Sequence, residues 1–254
     1  MEPRPDRERF VPDPSLSRAG METLQREIGR TARFEDDLPF DPERVGGRNG
    51  PLVAGVDQAF LTDEEPERAV SAVVVLRGEA VVERIHAVTP LSIPYVPGLL
   101  AFREGGPILA ALAELETDPD CLLFDGSGRI HFREAGLATH LGVLVDRPAV
   151  GVAKSLLCGE PREPTDGLPE GSRVAIEADD RMEVDPGTVV GYAYQSRQYP
   201  DSRRINPLYV SPGHRVSAGT AVDLVERCGG GYKLPEPTRL ADAYADEVKR
   251  ELQG

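Results

Sequence analysis

The stretch Cys121-Leu-Leu-Phe-Asp125-Gly-Ser-Gly-Arg-Ile-His131 decides the fold. The apolar residues before Asp125 predict a strand buried on both faces, and the two glycines after it predict a tight loop. An acid at the end of such a strand is held rigidly where the chain leaves the sheet. Open α/β sheets place their chemistry at this edge, so Asp125 is the first candidate for a functional residue.

A second acid lies in a similar setting. The apolar run that begins at Pro51 ends at Asp57, as the first run ends at Asp125. A carboxylate half removed from water needs a counter-charge, and no Lys or Arg lies within three residues of Asp125. Two such carboxylates, if they converge, can share a divalent cation. The alternative without a metal is that each acid only begins a turn.

Length and composition restrict the class of protein. The chain has 254 residues, 40% of them hydrophobic, which is enough for a substantial core in one large domain or two small ones. No apolar run approaches the roughly 20 residues that span a bilayer, and the N-terminus has no apolar signal core. We therefore predict a cytoplasmic protein. The cysteines are far apart in sequence, so we predict no disulfide and no zinc site.

The charge is acidic and poor in lysine. The net charge is −14, and only three of the 29 basic residues are lysines (Lys154, Lys233 and Lys249). Carboxylates hold water, and salt screens their mutual repulsion, so this composition predicts a salt-rich cytoplasm, as in a halophile. A GC-rich genome would also lower the lysine content.

One local basic strip runs against the overall charge. A net charge of −14 argues against a nucleic-acid partner, but basic residues interleaved with aromatic ones are compatible with one. The alternative is an ordinary solvated surface, which is the commoner role of four arginines in a loop. The strip contains Arg197, Tyr199, Arg203, Arg204, Tyr209 and Arg215.

The pattern along the chain predicts one α/β domain with an extra N-terminal helix. We predict that residues 1–14 form a disordered tail. Residues 15–50 are predicted to form an amphipathic helix to about Arg33, followed by a linker. From residue 51, three closely connected strands predict an antiparallel meander, and the later strand–helix alternation predicts parallel βα strands. Residues 51–254 therefore match a ribonuclease H (RNase H)-like mixed sheet flanked by helices.

The predicted elements have these bounds. The strands are 52–60, 71–76, 80–87, 121–125 and 149–154, with 173–177, 188–195 and 208–210 in a second antiparallel element. The helices after residue 51 are 99–115, 134–144, 217–227 and 238–252.

A stiff loop precedes the first of these helices. Its prolines forbid a helix or a central strand, so Tyr95, between Pro94 and Pro97, is either a rigid exposed aromatic that stacks on bases or a core anchor beneath the loop. Glu104 follows near the start of the helix, where an acid is ordinarily only a partner of the helix dipole.

Three further cationic or titratable residues are considered for a chemical role. His131, six residues after Asp125, is close enough to donate a proton or to bind a phosphate. Lys154 ends a strand, where a compact cation beside carboxylates can stabilise charge on a phosphoryl group. His214 lies just before a helix, and histidines in that position are usually inert.

Six motifs, taken in order, resemble those of the endonuclease V family. They span about residues 51 to 228, and their joint occurrence by chance is very improbable. They are Gly55-Val-Asp57-x-Ala-Phe60, Pro94-Tyr95-Val-Pro97-Gly-Leu-Leu-Ala-Phe-Arg103-Glu104, Asp125-Gly-x-Gly-x-x-His131, Gly136-Leu-Ala-Thr-His140-Leu-Gly-Val143, Gly151-Val-Ala-Lys154-Ser155 and Ser211-x-Gly-His214.

The resemblance implies a DNA-repair endonuclease with an RNase H-like domain. Such an enzyme recognises deoxyinosine (hypoxanthine) in DNA and, in some members, inosine in RNA. It uses Mg²⁺, with Mn²⁺ as a substitute, to hydrolyse the second phosphodiester bond 3′ to the lesion, which leaves a 5′-phosphate and a 3′-hydroxyl. We expect it to act as a monomer, without a membrane partner.

The resemblance also assigns roles to residues. Asp57 and Asp125 are the metal ligands, Glu104 and His214 complete the acid/base and metal shell, and His131 and Lys154 face phosphates. The strand-separating wedge is Pro94, Tyr95, Val96 and Pro97, and the base pocket is lined by backbone around Gly98, Leu100, Gly126 and Leu137. This chain departs from the family at Phe132, where a proline is usual, and in its acidic surface.

Three other functions stay open from the sequence. The chain could be an endoribonuclease that acts on inosine in RNA, a non-catalytic binder of structured or damaged nucleic acid with the same fold, or an α/β domain with no nucleic-acid role. The complete set of Asp57, Glu104 and Asp125 favours an enzyme, because a binder does not need all three.

Overall fold

A computed structural model describes residues 1–63, 65–198 and 205–254. Within these residues, nine strands form a single mixed sheet. The strands are β1 (Leu52–Leu61), β2 (Arg68–Arg77), β3 (Ala80–Pro90), β4 (Cys121–Asp125), β5 (Ala149–Ala153), β6 (Glu160–Pro161), β7 (Arg173–Glu177), β8 (Val189–Tyr194) and β9 (Leu208–His214). Their order across the sheet is β3-β2-β1-β4-β5-β9-β8-β7-β6.

Helices cover both faces of the sheet. They are α1 (Arg18–Thr31), α2 (Leu100–Ala113), α3 (Leu137–Val145), α4 (Ala218–Arg227) and α5 (Glu236–Gln253), and short 3-10 helices occupy Pro5–Phe10 and Pro42–Arg44. One core lies between the sheet and α1, α2 and α3, and α4 and α5 pack on the opposite face. No helix in the described part of the chain is both long and apolar enough to cross a membrane.

Strand β4 is buried on both faces, as its apolar run predicts. Leu122 and Phe124 pack in the core with α2 and α3, whereas Cys121 and Leu123 pack on the α4 side. This alternation follows from the pleat of a strand, which sends successive side chains to opposite faces. Asp125 is the last residue of β4 and is therefore held by a strand anchored on both sides.

The predicted RNase H-like order is confirmed. Strands β1, β2 and β3 form an antiparallel meander, and β4 pairs in parallel with both β1 and β5. The prediction of a second antiparallel element is confirmed, because β7, β8 and β9 pair antiparallel, and β9 joins this element to the same sheet by pairing with β5. The apolar pattern of a strand reports which faces are buried, but it does not identify the neighbouring strand.

The prediction of a disordered tail at 1–14 is wrong. Phe10 is 1% exposed and belongs to the main core. Arg4 and Arg7 donate hydrogen bonds to the carbonyls of Leu144 and Val143, at 2.9 and 2.5 Å. These carbonyls lie at the end of α3, where the helix itself supplies no donors. The polar residues that suggested disorder instead cap a helix.

Truncation of Phe10 tests this docking of the N-terminus. We expect Phe10→Ala to lower the free energy of unfolding by about 3–5 kcal/mol, because it leaves a cavity in the main core. Val11→Ala is the matched control, since Val11 is 39% exposed and its loss should change the same quantity by less than about 0.5 kcal/mol. Urea denaturation measures both variants. Equal stabilities for the two would show that residues 1–14 do not pack as described.

Candidate active site

Asp57 and Asp125 lie side by side on neighbouring parallel strands. Val56 of β1 is level with Phe124 of β4, so the two acids follow at the same level and on the same side of the sheet. Both line a cavity of about 380 Å³. Asp57 lies in the middle of β1 rather than at a strand end, because β1 continues past the end of β4 and pairs with β2 as far as Leu61.

Asp57 is almost fully buried. The residue is 8% exposed. Its Oδ1 accepts a hydrogen bond from the Gln58 backbone N–H at 2.7 Å, whereas its Oδ2 is buried with no hydrogen-bond partner. Burial, and then the charge of Asp125, raise the pKa of Asp57 well above its ordinary value. A buried oxygen without a donor is unusual and needs an explanation. A bound cation would satisfy it.

Lys154 contacts the second acid directly. Lys154 follows the last residue of β5, and its Nζ donates a hydrogen bond to Asp125 Oδ2 at 2.6 Å. Burial opposes the charge on Lys154, but Asp125 and Asp57 outweigh it and raise the lysine pKa. The Lys154 side chain is 48% exposed, so its ammonium can also reach a ligand from solvent.

Glu104 reaches the same cavity from α2. Burial raises the pKa of Glu104 to about 7, with Arg103 opposing the shift and Asp125 adding to it. A carboxyl group with this pKa exchanges protons near neutral pH, which is the property that general acid–base chemistry requires.

The donor set suits a hard cation with an incomplete protein shell. Among the described residues, no three His, Cys, Asp or Glu side chains come close enough together to enclose an ion. Asp57 and Asp125 would leave the remaining coordination positions to water and phosphate oxygens, which is the arrangement Mg²⁺ favours. The site therefore fits Mg²⁺ better than zinc.

One further acid acts on this site and was not predicted from the sequence. Asp242 of α5 contributes to the raised pKa values of Asp57 and Lys154, so its charge acts on both. The sequence did contain a signal for the approach of α5. This signal is Gly55 in β1, where a Cβ atom would lie 2.0 Å from the Pro237 backbone. A glycine inside a buried strand indicates close approach of another backbone, here the start of α5.

His131 lies in the cavity wall but does not face solvent. It is 3% exposed, its Nδ1 accepts from the Arg133 backbone N–H at 3.2 Å, and its Nε2 bonds to the Gly98 carbonyl at 3.0 Å. Burial lowers its pKa to about 4, so the ring is neutral. His131 was expected to face a phosphate. In the structure, both of its ring nitrogens are already bonded within the protein.

His214 lies away from the cavity. It pairs with Ala149 at the start of β5, whereas Asp125 is level with Val152 at the other end. Its Nε2 lies 3.1 Å from Asp146 Oδ1, and burial lowers its pKa to about 4. The expectation that His214 completes the metal and acid/base shell therefore conflicts with the structure. Its buried position next to α3 gives it a structural role.

The predicted wedge and base pocket lie around the carboxylates. Tyr95 is 61% exposed and lines the cavity, so it is not a core anchor. Pro94 and Pro97 are exposed beside it, and Val96 packs underneath on Leu99. The residues predicted to line the pocket do line the cavity: Gly98, Leu100, Gly126 and Leu137.

The basic strip is only partly described. Tyr199, Arg203 and Arg204 lie outside the described residues. Arg197 bonds to Glu170 at 3.1 Å, and Arg215 bonds to the Asp37 carbonyl, also at 3.1 Å. These two arginines therefore have partners within the protein.

Comparison with known proteins identifies the family. Residues 42–243 match the family model of Endonuclease V. The endonuclease V of Natronomonas pharaonis is 69% identical over 242 residues, which cover 95% of each chain. The crystal structure of the Bacillus subtilis protein gives a TM-score of 0.82 at 26% identity and covers 100% of this chain and 99% of that one.

A third relative was crystallised with nucleic acid. The endonuclease V of Ciona intestinalis, in complex with a 24-mer DNA that contains an inosine followed by a ribo-adenosine, gives a TM-score of 0.74 at 27% identity and covers 92% of this chain and 98% of that one. The resemblance seen in the sequence motifs is thus confirmed over nearly the whole chain. The chain belongs to the Endonuclease V family and is a nuclease, a hydrolase that acts on DNA.

Proposed function

We propose that this enzyme recognises deoxyinosine in DNA and hydrolyses the second phosphodiester bond 3′ to it, leaving a 5′-phosphate and a 3′-hydroxyl. The observation that carries this proposal is the convergence of Asp57, Asp125 and Glu104 on one cavity with an exposed aromatic at its rim. The inosine-containing DNA bound by the Ciona relative supports the substrate class.

Asp57 and Asp125 would hold the catalytic ion, Mg²⁺ or Mn²⁺ in its place. The buried Asp57 oxygen without a partner supports this assignment. When bound, such an ion activates a water molecule and stabilises negative charge on the phosphate and the leaving oxygen.

The protein's own side chains supply proton transfer and charge. Glu104, with a pKa of about 7, can accept the proton of an attacking water at neutral pH. Lys154 uses one N–H on Asp125 and keeps two further donors that can bind a phosphate oxygen. We also assign Asp242 to this site, because the start of α5 packs against Gly55, two residues before Asp57, and the charge of Asp242 adds to the rise in the Asp57 pKa.

Tyr95 would occupy the space left by the displaced base. The neighbouring prolines restrict the loop backbone, so little conformational freedom is lost when the ring stacks on a base. The cavity behind it, about 380 Å³ in volume, would take the extruded hypoxanthine.

Removal of this ring tests the wedge. We expect Tyr95→Ala to reduce the preference for deoxyinosine duplex over undamaged duplex by about tenfold, because base–aromatic stacking contributes about 1–3 kcal/mol. Competition binding with two labelled duplexes measures the preference. Val82→Ala is the control, since Val82 is 45% exposed on β3, away from the cavity. An unchanged preference in Tyr95→Ala would remove the wedge assignment.

RNA is a second candidate substrate. The strand bound to the Ciona protein carries a ribo-adenosine directly after its inosine, so that relative accepts a ribose at this position. The same carboxylates could cleave after inosine in RNA, and matched DNA and RNA strands separate the two activities.

We further propose that the enzyme works in the salt-rich cytoplasm of a halophile. The net charge of −14 supports this, because phosphate binding by so acidic a protein gains from screening. As a functional test, an end-labelled duplex with a single deoxyinosine is incubated in molar KCl with and without Mg²⁺. We expect a single cut 3′ to the lesion only with Mg²⁺. Cleavage without Mg²⁺, or equal cleavage of undamaged duplex, would contradict the proposed function.

A further inference from the structure

The carbonyl of Gly98 is held by two buried donors. Gly98 follows the wedge directly, has a φ of +80°, and is buried. Its oxygen accepts hydrogen bonds from Gln25 Nε2 at 2.8 Å and from His131 Nε2 at 3.0 Å. Gln25 belongs to α1 and is 1% exposed. Because a carbonyl oxygen has two lone pairs, its accepting capacity is filled by these two residues.

The orientation of both donors is set by Arg133. Its Nε donates to Gln25 Oε1 at 2.8 Å, so the amide nitrogen of Gln25 is the atom that faces Gly98. The backbone N–H of Arg133 donates to His131 Nδ1 at 3.2 Å, so the ring proton of the neutral imidazole is on Nε2. The whole network is satisfied and admits one arrangement of donors and acceptors.

The Gly98 peptide connects the wedge to the base pocket. It leads to Leu99, which precedes α2, and to Leu100, the first residue of that helix. Backbone N–H groups in the first turn of a helix have no acceptor within the helix and can bind a ligand. Gln25, Gly98 and Leu100 line the same cavity. Rotation of the Gly98 peptide would therefore change where these N–H groups point.

One further contact supports this orientation, because the Leu99 N–H in the same peptide unit donates a hydrogen bond to the Val96 carbonyl at 2.9 Å. Glycine at position 98 tolerates a wide range of backbone angles, so the conformation depends on contacts rather than on the residue itself. A Cβ atom here would lie 3.0 Å from the Phe132 ring, which excludes a bulkier and stiffer residue. Gln25 and His131 thus hold the oxygen of this peptide, and Val96 holds its N–H.

We propose that Gln25 is a positioning residue for lesion recognition, which fixes the Gly98 peptide so that the α2 N-terminus reads the extruded base. This inference rests on the proposed function, and it assigns a task to the N-terminal helix, which lies outside the sequence motifs. Gln25 contacts no reacting group, so it acts on discrimination and not on hydrolysis.

Two substitutions of Gln25 and one control test the proposal. Gln25→Glu keeps the length of the side chain and the contact with Arg133, but it places an oxygen against the Gly98 carbonyl. Gln25→Met keeps the approximate shape and removes both hydrogen bonds. Arg26→Ala is the control, because Arg26 pairs on the surface with Glu183 at 2.7 Å and ties down the same helix without reaching the cavity.

The readout is discrimination between substrates. Each variant is assayed in molar KCl, at a temperature where circular dichroism shows it folded. Cleavage of a deoxyinosine duplex and of the matched deoxyguanosine duplex is measured with Mg²⁺, and binding of both is measured by fluorescence anisotropy in EDTA. We expect the preference for deoxyinosine to fall about tenfold in both Gln25 variants, with residual cleavage of the deoxyguanosine duplex unchanged. Arg26→Ala should keep the wild-type preference.

The outcomes separate this inference from the proposed function. A wild-type protein without preference for deoxyinosine would refute the proposed function itself. If the wild-type preference exists but both Gln25 variants retain it, the positioning role is refuted. Equal losses on both duplexes, or failure of both variants to fold, would make Gln25 a purely structural residue and also overturn the proposal.

Discussion

Replacement of Asp57 or Asp125 by alanine is expected to reduce Mg²⁺-dependent cleavage by at least about a thousandfold, because the bound ion contributes several kcal/mol to the transition state. Binding of the deoxyinosine duplex should remain, since the wedge and the pocket are formed by other residues, Tyr95 and Leu100 among them. Single-turnover cleavage and anisotropy in the absence of metal measure the two effects separately.

Thermal unfolding provides an independent readout for the same variants. An ion that binds only the folded state raises the melting temperature of the protein, so Mg²⁺ should stabilise the wild type and not the variants. Asp118→Ala is the control, because the Asp118 side chain is 70% exposed and pairs with Arg147 on the surface. Near wild-type cleavage by either active-site variant, or an undiminished Mg²⁺ effect on its melting temperature, would remove the metal assignment.

Replacement of Glu104 by glutamine is expected to lower the rate of cleavage by about a hundredfold or more, which is the usual contribution of a general base. The same change should alter the pH profile. Burial raises the pKa of Glu104 to about 7, and its deprotonated form accepts the proton, so the wild-type rate should rise as the pH increases toward 7. A nearby cation favours the carboxylate and would shift this rise to lower pH.

The rate of Glu104→Gln should lack this rise, because the amide does not titrate. Glu114→Gln, an exposed position after α2, serves as the control and should retain the wild-type rate and profile. Single-turnover rates at several pH values, with saturating enzyme, measure the effect. A variant that keeps the same pH dependence would show that another group accepts the proton.

Local patterns were sufficient to predict the core of the fold and the central pair of acids. The apolar run before Asp125 specified a strand buried on both faces, and the alternation of strands and helices specified the parallel pairing of β4 and β5. The proximity of Asp57 and Asp125 was predicted from two apolar runs that each end in an acid, and the parallel pairing of β1 with β4 produces it although Asp57 lies in the middle of its strand. These are properties that neighbouring residues in the chain determine together.

Contacts between distant segments could not be predicted in this way. The charged residues at 1–14 suggested disorder, because their acceptors, such as the Val143 carbonyl, lie far away in sequence. The family resemblance assigned chemistry to His131 and His214, but their hydrogen-bond partners Gly98 and Asp146 keep them inside the protein. Asp242 had no local signal in its amphipathic helix. In each case a partner remote in the sequence decides the role.

The central claim is that Asp57 and Asp125 share one divalent cation. Crystals grown in molar KCl and soaked in Mn²⁺ would test it most directly by anomalous diffraction, since manganese scatters anomalously and prefers the same oxygen ligands. We predict an anomalous peak in direct contact with carboxylate oxygens of both residues. A peak elsewhere in the protein with none between these two carboxylates, at a Mn²⁺ concentration that supports cleavage, would contradict the account.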